Sequence, residues 1–173
     1  CSIAAGKDFH GQHIVDPGPV VYIKGEGHNG FARRRQAWEI WHNKDIKRAP
    51  LYVSKTSAAI CDPGSLEEVK RAVDEVTQFE SESPRLMIID TLSRNFGPGD
   101  QNTSQDMTAF VSALDHLKEI YRCTVLVVHH SGHANKDRGK GAMDLKGAAD
   151  AEYRVSKDEH VVRLTPVKMK DAA

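Results

Sequence analysis

The stretch PRLMIIDTLSRNFGPGD, residues 84–100, decides the fold. Four consecutive apolar residues, 86–89, run directly into the carboxylate of Asp90, and a polar loop rich in glycine follows. A short, uninterrupted apolar run predicts a strand buried on both faces, which is typical of a parallel sheet. Such a strand delivers Asp90 to the rim of the sheet. An acid there is either a turn or capping residue or part of a site, and this stretch alone favours neither.

Strands and helices alternate on both sides of this stretch. Short apolar runs predict strands at 19–27, 49–55, 85–90 and 123–130, the last being the most apolar. Helical spacing predicts helices at 29–42 and 65–79, the second opened by a capping box of Ser65 and Glu68. Thr103 and Asp106 open a further helix, and its predicted buried stripe consists of Met107, Phe110, Val111, Leu114, Leu117 and Tyr121. The alternation predicts βαβ units and an α/β fold with a mostly parallel sheet.

The two ends of the chain differ from this pattern. CSIAAGKDFHG, residues 1–11, is typical of the tail of a helix followed by a turn. Residues 151–157 and 160–170 alternate in polarity and predict an antiparallel hairpin around Asp158–Glu159, placed at one edge of the sheet. Neither an internal repeat nor a linker is visible, so residues 1–173 are interpreted as one domain.

Bulk composition excludes several classes of protein. Lys plus Arg and Asp plus Glu both number 24, so any nucleic-acid surface must be a local basic patch. The three cysteines are widely spaced and lack metal-binding spacing, which is typical of reduced thiols in a cytoplasmic protein. No apolar run approaches membrane-spanning length and no signal peptide is visible, so we expect no membrane partner.

Polar side chains lie at the ends of three of the predicted strands. Glu26 follows the first, Asp90 and Thr91 follow the third, and His129-His130 follow the fourth. Because ligands bind at the carboxyl ends of strands in open parallel sheets, these residues predict one shared site. Asp90 would hold the water shell of Mg²⁺, Glu26 would act as general base, and His130 would hydrogen-bond a γ-phosphate. Each also has an ordinary structural interpretation, as a turn acid, a solvated acid and a satisfied histidine.

Other groups carry weaker signals. HHSGH, residues 129–133, is a poor zinc site because neighbouring histidines on a strand point to opposite faces and no acid or cysteine completes the set. The loop 131–147 is basic and would contact nucleic-acid phosphates, or is simply solvated; its cations are Lys136, Arg138, Lys140 and Lys146. Lys168 and Lys170 share one face of the last strand, where they either reach a neighbour's phosphate or guard an exposed edge.

Taken in order, these motifs resemble the RecA-like P-loop ATPase core of RepA-type and DnaB-type hexameric helicases, particularly the RepA-like ATPases of phages, plasmids and mobile elements. The resemblance covers nearly the whole chain. GPVVYIKGEG is similar to the family's strand with its glutamate, LMIIDTLSRNFGPGDQN to its Walker B strand, and TVLVVHHSG to the strand with its histidine motif. KGAMDLKGAADAEYRV and VVRLTPVKMKDA resemble its closing loop and strands.

The resemblance implies roles for the candidate residues. Glu26 would be the catalytic base and Asp90 the acid on the Mg²⁺ side, with Thr91 and His130 sensing the nucleotide. Lys168 and Lys170 would reach the nucleotide of a neighbouring subunit. The cations of the basic loop, Lys136, Arg138, Lys140 and Lys146, would face a central channel and bind single-stranded DNA. ATP would be the substrate, hydrolysed with Mg²⁺ between the subunits of a homo-oligomeric ring, a hexamer, in a replicative DNA helicase.

One departure from the family's pattern is that its first strand and P-loop are missing. The only GKG, at 139–141, lacks the P-loop spacing. We expect those elements to lie upstream of Cys1, and the chain without them to bind ATP poorly. The alternatives are a RecA-like recombination or regulatory ATPase that does not unwind DNA, a metal-dependent phosphoesterase, and a non-catalytic interaction module. For a phosphoesterase of the Asp-x-Asp type, Leu92 stands where the second acid is required.

Overall fold

A computed structural model describes residues 1–130 and 143–170. Its elements follow one another as α1 Ser2–Ala5, β1 Val20–Lys24, α2 His28–His42, β2 Leu51–Val53, α3 Pro63–Glu80, β3 Leu86–Asp90, α4 Leu92–Asn95, α5 Ser104–Tyr121, β4 Thr124–Val128, α6 Met143–Ala148, β5 Ala151–Asp158 and β6 Val161–Met169. Within these two ranges, no helix is both long and apolar enough to cross a membrane.

Four parallel strands form the main sheet, in the order β2-β1-β3-β4. The chain steps outward from β1 to β2 and then back across β1 to β3. Right-handed crossovers in opposite directions place the connecting helices on opposite faces of the sheet. Accordingly, α3 and α5 pack on one face, while Phe31 of α2 lies beside Tyr22 on the other. The predicted α/β class, with a parallel sheet and an antiparallel C-terminal pair, is confirmed.

The main core lies between the sheet and the pair α3 and α5. Met87 and Ile89 of β3 are fully buried there, against Phe110 and Leu117 of α5. The predicted stripe of α5 is confirmed except for Val111, which is only half-buried. Thr103 caps α5 as predicted, because its side chain accepts a hydrogen bond from the Asp106 N–H.

The predicted start of α3 is wrong. The helix begins at Pro63, and the carboxylate of Asp62 caps it by accepting from the Ser65 N–H at 2.8 Å. Proline fits the first helical position because its missing N–H has no partner there in any case. The Ser65 hydroxyl instead accepts from the Ala59 N–H at 2.9 Å, which ties the preceding loop to the helix.

Burial of β4 on both faces is also wrong. Leu126 is 47% exposed and Val128 is 36% exposed, although Val125 and Val127 pack against the core. In the described part of the chain β4 is the last strand in the sheet order. The apolar run therefore predicted the strand correctly but overestimated how far its two faces are buried. Burial of a strand face depends on which helices pack against it.

The C-terminal hairpin forms as predicted, but not where it was predicted. β5 and β6 pair antiparallel around a turn at residues 159–160, with Glu159 at a positive φ of 48°. Its placement at the edge of the main sheet is wrong, since the hairpin is a separate two-stranded sheet. The backbone hydrogen bonds of β5 and β6 join the two strands to each other. A salt bridge between Lys118 and Asp150, 3.0 Å long, lies at the base of the hairpin.

Two short segments complete the comparison of helices. Ser2–Ala5 is helical and ends at Gly6 in the left-handed conformation, so the predicted helix tail and turn are confirmed. The end of the predicted loop 131–147 is wrong, because residues from 143 onward form α6, which carries Asp144 in its first turn and Lys146 in its last. These positions suit the helix dipole, which favours acids at the N-terminus and bases at the C-terminus.

Candidate functional site

The carboxyl ends of β1, β3 and β4 lie side by side. Lys24 pairs with Asp90 in the register of β1 and β3, and Asp90 pairs with Val128 in the register of β3 and β4. The three chains therefore leave the sheet at one level. Glu26 follows β1 by two residues and His130 follows β4 by two residues, so both reach the space beyond Asp90.

Glu26 and His130 are in direct contact across 104 residues of sequence. His130 Nε2 lies 3.0 Å from Glu26 Oε1, and the other carboxylate oxygen lies 3.8 Å from Arg94 Nε. The hydrogen bond from His130 lowers the pKa of Glu26 below its ordinary value, with smaller contributions from Arg94 and from the Thr91 hydroxyl. The Glu26 side chain is 37% exposed, so water reaches it. The carboxylate is thus charged at neutral pH and held in one place.

Asp90 is held by a different partner. The Tyr22 hydroxyl donates a hydrogen bond to Asp90 Oδ2, and the Gly25 N–H donates to the Asp90 backbone carbonyl at 2.5 Å. Burial, followed by the bond to Asp90, raises the pKa of Tyr22 to about 12. The tyrosine therefore stays neutral and donating at physiological pH. The peptide bond between Asp90 and Thr91 is cis.

Magnesium fits this set of residues better than a metal bound only by protein. Mg²⁺ keeps most of its waters and takes one or two carboxylates, with substrate phosphates as further ligands. Asp90 presents such a carboxylate, half-buried at the rim of the sheet. Within residues 1–130 and 143–170, no group of three or more His, Cys, Asp or Glu side chains is arranged to hold a metal ion.

The buried side chain of Asn95 holds the segment after Asp90 in place. This side chain is fully buried; its Oδ1 accepts from the Ala58 N–H and its Nδ2 donates to the Thr91 carbonyl, both at 2.9 Å. The backbone carbonyl of Asn95 also accepts from Ile60. The loop before α3 and the segment after β3 are thereby joined, and Arg94 is positioned beside Glu26.

Sequence reasoning missed four residues of this site: Tyr22, Lys24, Arg94 and Asn95. Alternation along β1 places Tyr22 and Lys24 on the face that leads to Asp90, and this signal was available. Lys24 is only 6% exposed, and its ammonium lies 4.9 Å from the centre of the Phe31 ring. Arg94 and Asn95 lie on a four-residue helix too short to produce a periodic pattern.

The remaining predicted residues lie elsewhere or outside the described ranges. Lys168 Nζ donates to the carbonyls of Lys146 and Gly147, at 2.6 and 2.9 Å, and Lys170 Nζ donates to that of Ala148 at 3.1 Å. Both lysines therefore cap the C-terminal end of α6. Lys146 itself forms an ion pair with Glu152 at 3.4 Å. The other predicted nucleic-acid contacts fall outside the described residues: Lys136, Arg138 and Lys140.

A comparison with models of protein families finds a match that covers most of the chain. Residues 1–136 match the family described as AAA domain. The matched region contains the whole four-stranded sheet and the three strand ends that carry Glu26, Asp90 and His130. No curated protein matches the chain.

Proposed function

The chain belongs to the AAA domain family, and from this premise we propose that it is the motor domain of an ATP-driven enzyme acting on nucleic acid. Membership gives the protein an ATPase-type domain. The finer proposal is a replicative DNA helicase of a phage, plasmid or mobile element, working in the cytoplasm as a ring with Mg-ATP hydrolysed between subunits. The observation that carries it is the meeting of Glu26, Asp90 and His130 at one edge of the sheet.

Glu26 is the best-placed general base. A base for hydrolysis must be deprotonated at working pH and within reach of a water. The lowered pKa of Glu26 satisfies the first requirement, and its partial exposure satisfies the second. Its contacts with His130 and Arg94 fix the orientation of the carboxylate. A carboxylate held in one orientation can in turn orient an attacking water.

Asp90 and Thr91 supply the metal side of the proposed site. When bound, Mg²⁺ would neutralise charge on the phosphates. Asp90 would hold its hydration shell, and the Tyr22 hydroxyl would keep the carboxylate aimed while remaining neutral itself. The Thr91 hydroxyl bonds Glu26, so it links the metal side to the base.

His130 would report the state of the nucleotide. Its imidazole bonds Glu26 through Nε2 and is 71% exposed. A phosphate in front of it would compete with Glu26 for that hydrogen bond. Movement of His130 toward the phosphate would then free the carboxylate for a water. This exchange would couple binding of the nucleotide to activation of the base.

Nucleic acid, taken as single-stranded DNA, and neighbouring subunits are further parts of the proposal. Lys146 and the other loop cations, Lys136, Arg138 and Lys140, would contact the phosphates of the strand. A role for Lys168 and Lys170 at a neighbour's nucleotide requires both to exchange the carbonyls of α6 for phosphate oxygens. Binding to nucleotide and ordering of α6 would then be linked.

The test is ATP hydrolysis by the full-length protein that carries this sequence, with and without single-stranded DNA. Glu26→Gln keeps the size of the side chain and removes the base, so we expect hydrolysis to fall about 10²- to 10⁴-fold. Glu119→Gln, at an exposed position on α5, is the matched control and should match the unsubstituted protein. Undiminished hydrolysis by Glu26→Gln would refute the assignment of the base. Hydrolysis stimulated by DNA without separation of a duplex would identify a non-unwinding ATPase instead.

A further inference from the structure

The guanidinium of Arg34, on α2, fills a space that two glycines leave open. Arg34 Nη2 donates to the Gly27 carbonyl at 3.5 Å. A Cβ atom at Gly30 would lie 2.9 Å from Arg34 Nη1, and one at Gly27 would lie 3.3 Å from Arg34 Nη2. Gly27 also has a positive φ of 68°, which glycine adopts at little cost. The guanidinium therefore lies against the start of α2, although Arg34 as a whole is exposed.

The same guanidinium contacts Tyr22 of β1. Arg34 donates a hydrogen bond to the Tyr22 hydroxyl oxygen. The Tyr22 ring packs edge-on against Phe31 of α2, with 5.7 Å between the ring centres. Phe31 and Arg34 are three positions apart on the helix, so they share one face. Helix α2 thus holds Tyr22 by both its ring and its hydroxyl.

An arginine partner leaves one direction for the hydroxyl proton of Tyr22. A guanidinium has donors but no acceptor, so its bond to Tyr22 uses a lone pair of the hydroxyl oxygen. The proton is then left for another partner, which is Asp90 Oδ2. Arg34 donates to Tyr22, and Tyr22 donates to Asp90, with a cation at one end and a carboxylate at the other. Such a chain polarises its members and strengthens both hydrogen bonds.

We propose that Arg34 is a positioning residue for the metal side of the site: it directs the Tyr22 O–H at Asp90 Oδ2 and so fixes the orientation of that carboxylate. The inference rests on the proposed function, in which Asp90 holds the hydration shell of Mg²⁺. Arg34 acts through Tyr22 and is not itself a ligand. Its bond to the Gly27 carbonyl also joins it to the turn that carries Glu26. One side chain therefore contacts the support of the proposed base and the support of the metal-side acid.

Lys24 is the nearer cation by strand register, but its position does not suit this role. Lys24 pairs with Asp90 in the register of β1 and β3. Its ammonium lies over the Phe31 ring, 4.9 Å from the ring centre, where the π electrons attract it. Arg34, by contrast, is joined to Asp90 through one intervening hydroxyl. Among the described residues, the chain of hydrogen bonds to Asp90 thus leads to Arg34 and not to this lysine.

The first test measures ATP hydrolysis by the full-length protein that carries this sequence, at saturating ATP and increasing Mg²⁺ concentration. Arg34→Met keeps an unbranched side chain and removes the donors, and Tyr22→Phe removes the hydroxyl. Loss of a hydrogen-bond partner behind a metal-side ligand typically weakens metal affinity about 10- to 100-fold. We therefore expect each variant to need at least about tenfold more Mg²⁺ for half of its maximal rate. Arg33→Met, at the exposed neighbouring position, is the matched control and should match the unsubstituted protein.

The double variant shows whether Arg34 acts through Tyr22. Arg34→Met combined with Tyr22→Phe should need the same Mg²⁺ concentration as Tyr22→Phe alone, because the chain is already broken at the hydroxyl. Effects of the two substitutions that multiply would overturn the inference. An unchanged Mg²⁺ requirement in Arg34→Met, with hydrolysis intact, would also overturn it.

A second readout needs no nucleotide. With isotope-labelled tyrosine, the NMR signal of the Tyr22 ring carbon that bears the hydroxyl reports hydrogen bonding at that oxygen. We expect this signal to move in Arg34→Met and in Gly30→Ala, where the new methyl group forces the guanidinium to shift, but not in Arg33→Met. Gly30→Ala should keep its midpoint of urea unfolding, because alanine favours a helix more than glycine does. Its Mg²⁺ requirement should rise nevertheless, which separates positioning from a loss of stability.

The outcomes distinguish this inference from the proposed function. A Tyr22 signal that does not move in Arg34→Met would overturn the inference even if ATP is hydrolysed normally. A rise in the Mg²⁺ requirement that appears only in variants with a lowered urea midpoint would also overturn it. If the proposed function fails, the unsubstituted protein will not hydrolyse ATP, although the Tyr22 signal will still move in Arg34→Met.

Discussion

Replacing Asn95 by alanine should loosen the segment that follows Asp90. The Asn95 side chain is fully buried and joins two parts of the chain that are distant in sequence. Its Oδ1 accepts from the Ala58 N–H, and its Nδ2 donates to the Thr91 carbonyl. Alanine removes both contacts and leaves space where the amide was.

The destabilisation caused by Asn95→Ala can be estimated from the hydrogen bonds that remain to the Thr91 carbonyl and to the Ala58 N–H. The Thr91 carbonyl still accepts from the backbone N–H groups of Arg94 and residue 95, both at 3.1 Å. Losing the hydrogen bond from Asn95 Nδ2 to this carbonyl should therefore cost about 1 kcal/mol. The Ala58 N–H finds no second acceptor among the described residues, and a buried unsatisfied donor costs about 1–3 kcal/mol. The free energy of unfolding should therefore fall by about 2–4 kcal/mol.

Urea unfolding followed by far-ultraviolet circular dichroism measures this change. With a slope of about 2 kcal/mol per molar urea, the midpoint should fall by about 1–2 M. Asn102→Ala is the matched control, because Asn102 is exposed and hydrogen-bonds Asp100 within its own turn. Its unfolding free energy should change by less than about 0.5 kcal/mol.

Substitution by aspartate separates the two contacts. Asn95→Asp keeps an oxygen for the Ala58 N–H but replaces the donor to Thr91 with a second acceptor. It should also be destabilising, because a buried carboxylate would face a carbonyl. If Asn95→Ala unfolds at the same urea concentration as Asn102→Ala, the side chain does not hold the two segments together, and the account of how Arg94 is positioned fails with it.

Two further predictions concern the strand ends. In Gly25→Ala the new methyl group would lie 2.4 Å from Arg94 Cβ, so we expect urea unfolding to show a destabilisation of about 1–3 kcal/mol. Gly147→Ala is the control, because it has open space around it and should cost nothing measurable. Equal stability of the two variants would show that the backbone at the end of β1 shifts without cost to make room for the methyl group. His130→Ala should raise the pKa of Glu26 toward its ordinary value, as read from the carboxyl carbon shift by NMR. Because the folded pKa is lowered, the Glu26 carboxylate stabilises the fold above its ordinary pKa and loses this effect as pH falls through the folded value, so Glu26→Gln should flatten the acidic end of the stability profile. An unchanged pKa of Glu26 in His130→Ala would rule out the contact in solution.

Local patterns in the sequence were sufficient for the elements of the main sheet. The run from Leu86 to Ile89 predicted β3, and the stripe from Met107 to Tyr121 predicted α5 with its Thr103 cap. These signals are local because the spacing of apolar residues is fixed by the geometry of the element that carries them. The shared edge followed from topology, since parallel strands deliver their carboxyl ends to the same side.

Short elements and caps were less accessible from the sequence. Ser65 and Asp62 are both good capping residues three positions apart, and only the position of the preceding loop selects Asp62. A four-residue helix such as α4 is too short for periodicity to reveal it. The placement of the hairpin was also undetermined, because alternation predicts a half-buried strand but does not say which sheet the strand joins.

The sequence by itself thus determined the fold class, the order of the strands along the chain and the set of polar residues at their ends. The tertiary structure alone decided which of those residues touch. Glu26 and His130 are 104 positions apart, and Arg94 and Asn95 enter the site through contacts with other segments. It also decided that β4 keeps an exposed face and that α2 and α3 pack on opposite faces of the sheet. The physical reason is the range of the interactions: spacing and capping act over one or two turns, whereas burial, ion pairing and the pKa of Glu26 depend on segments that meet only after folding.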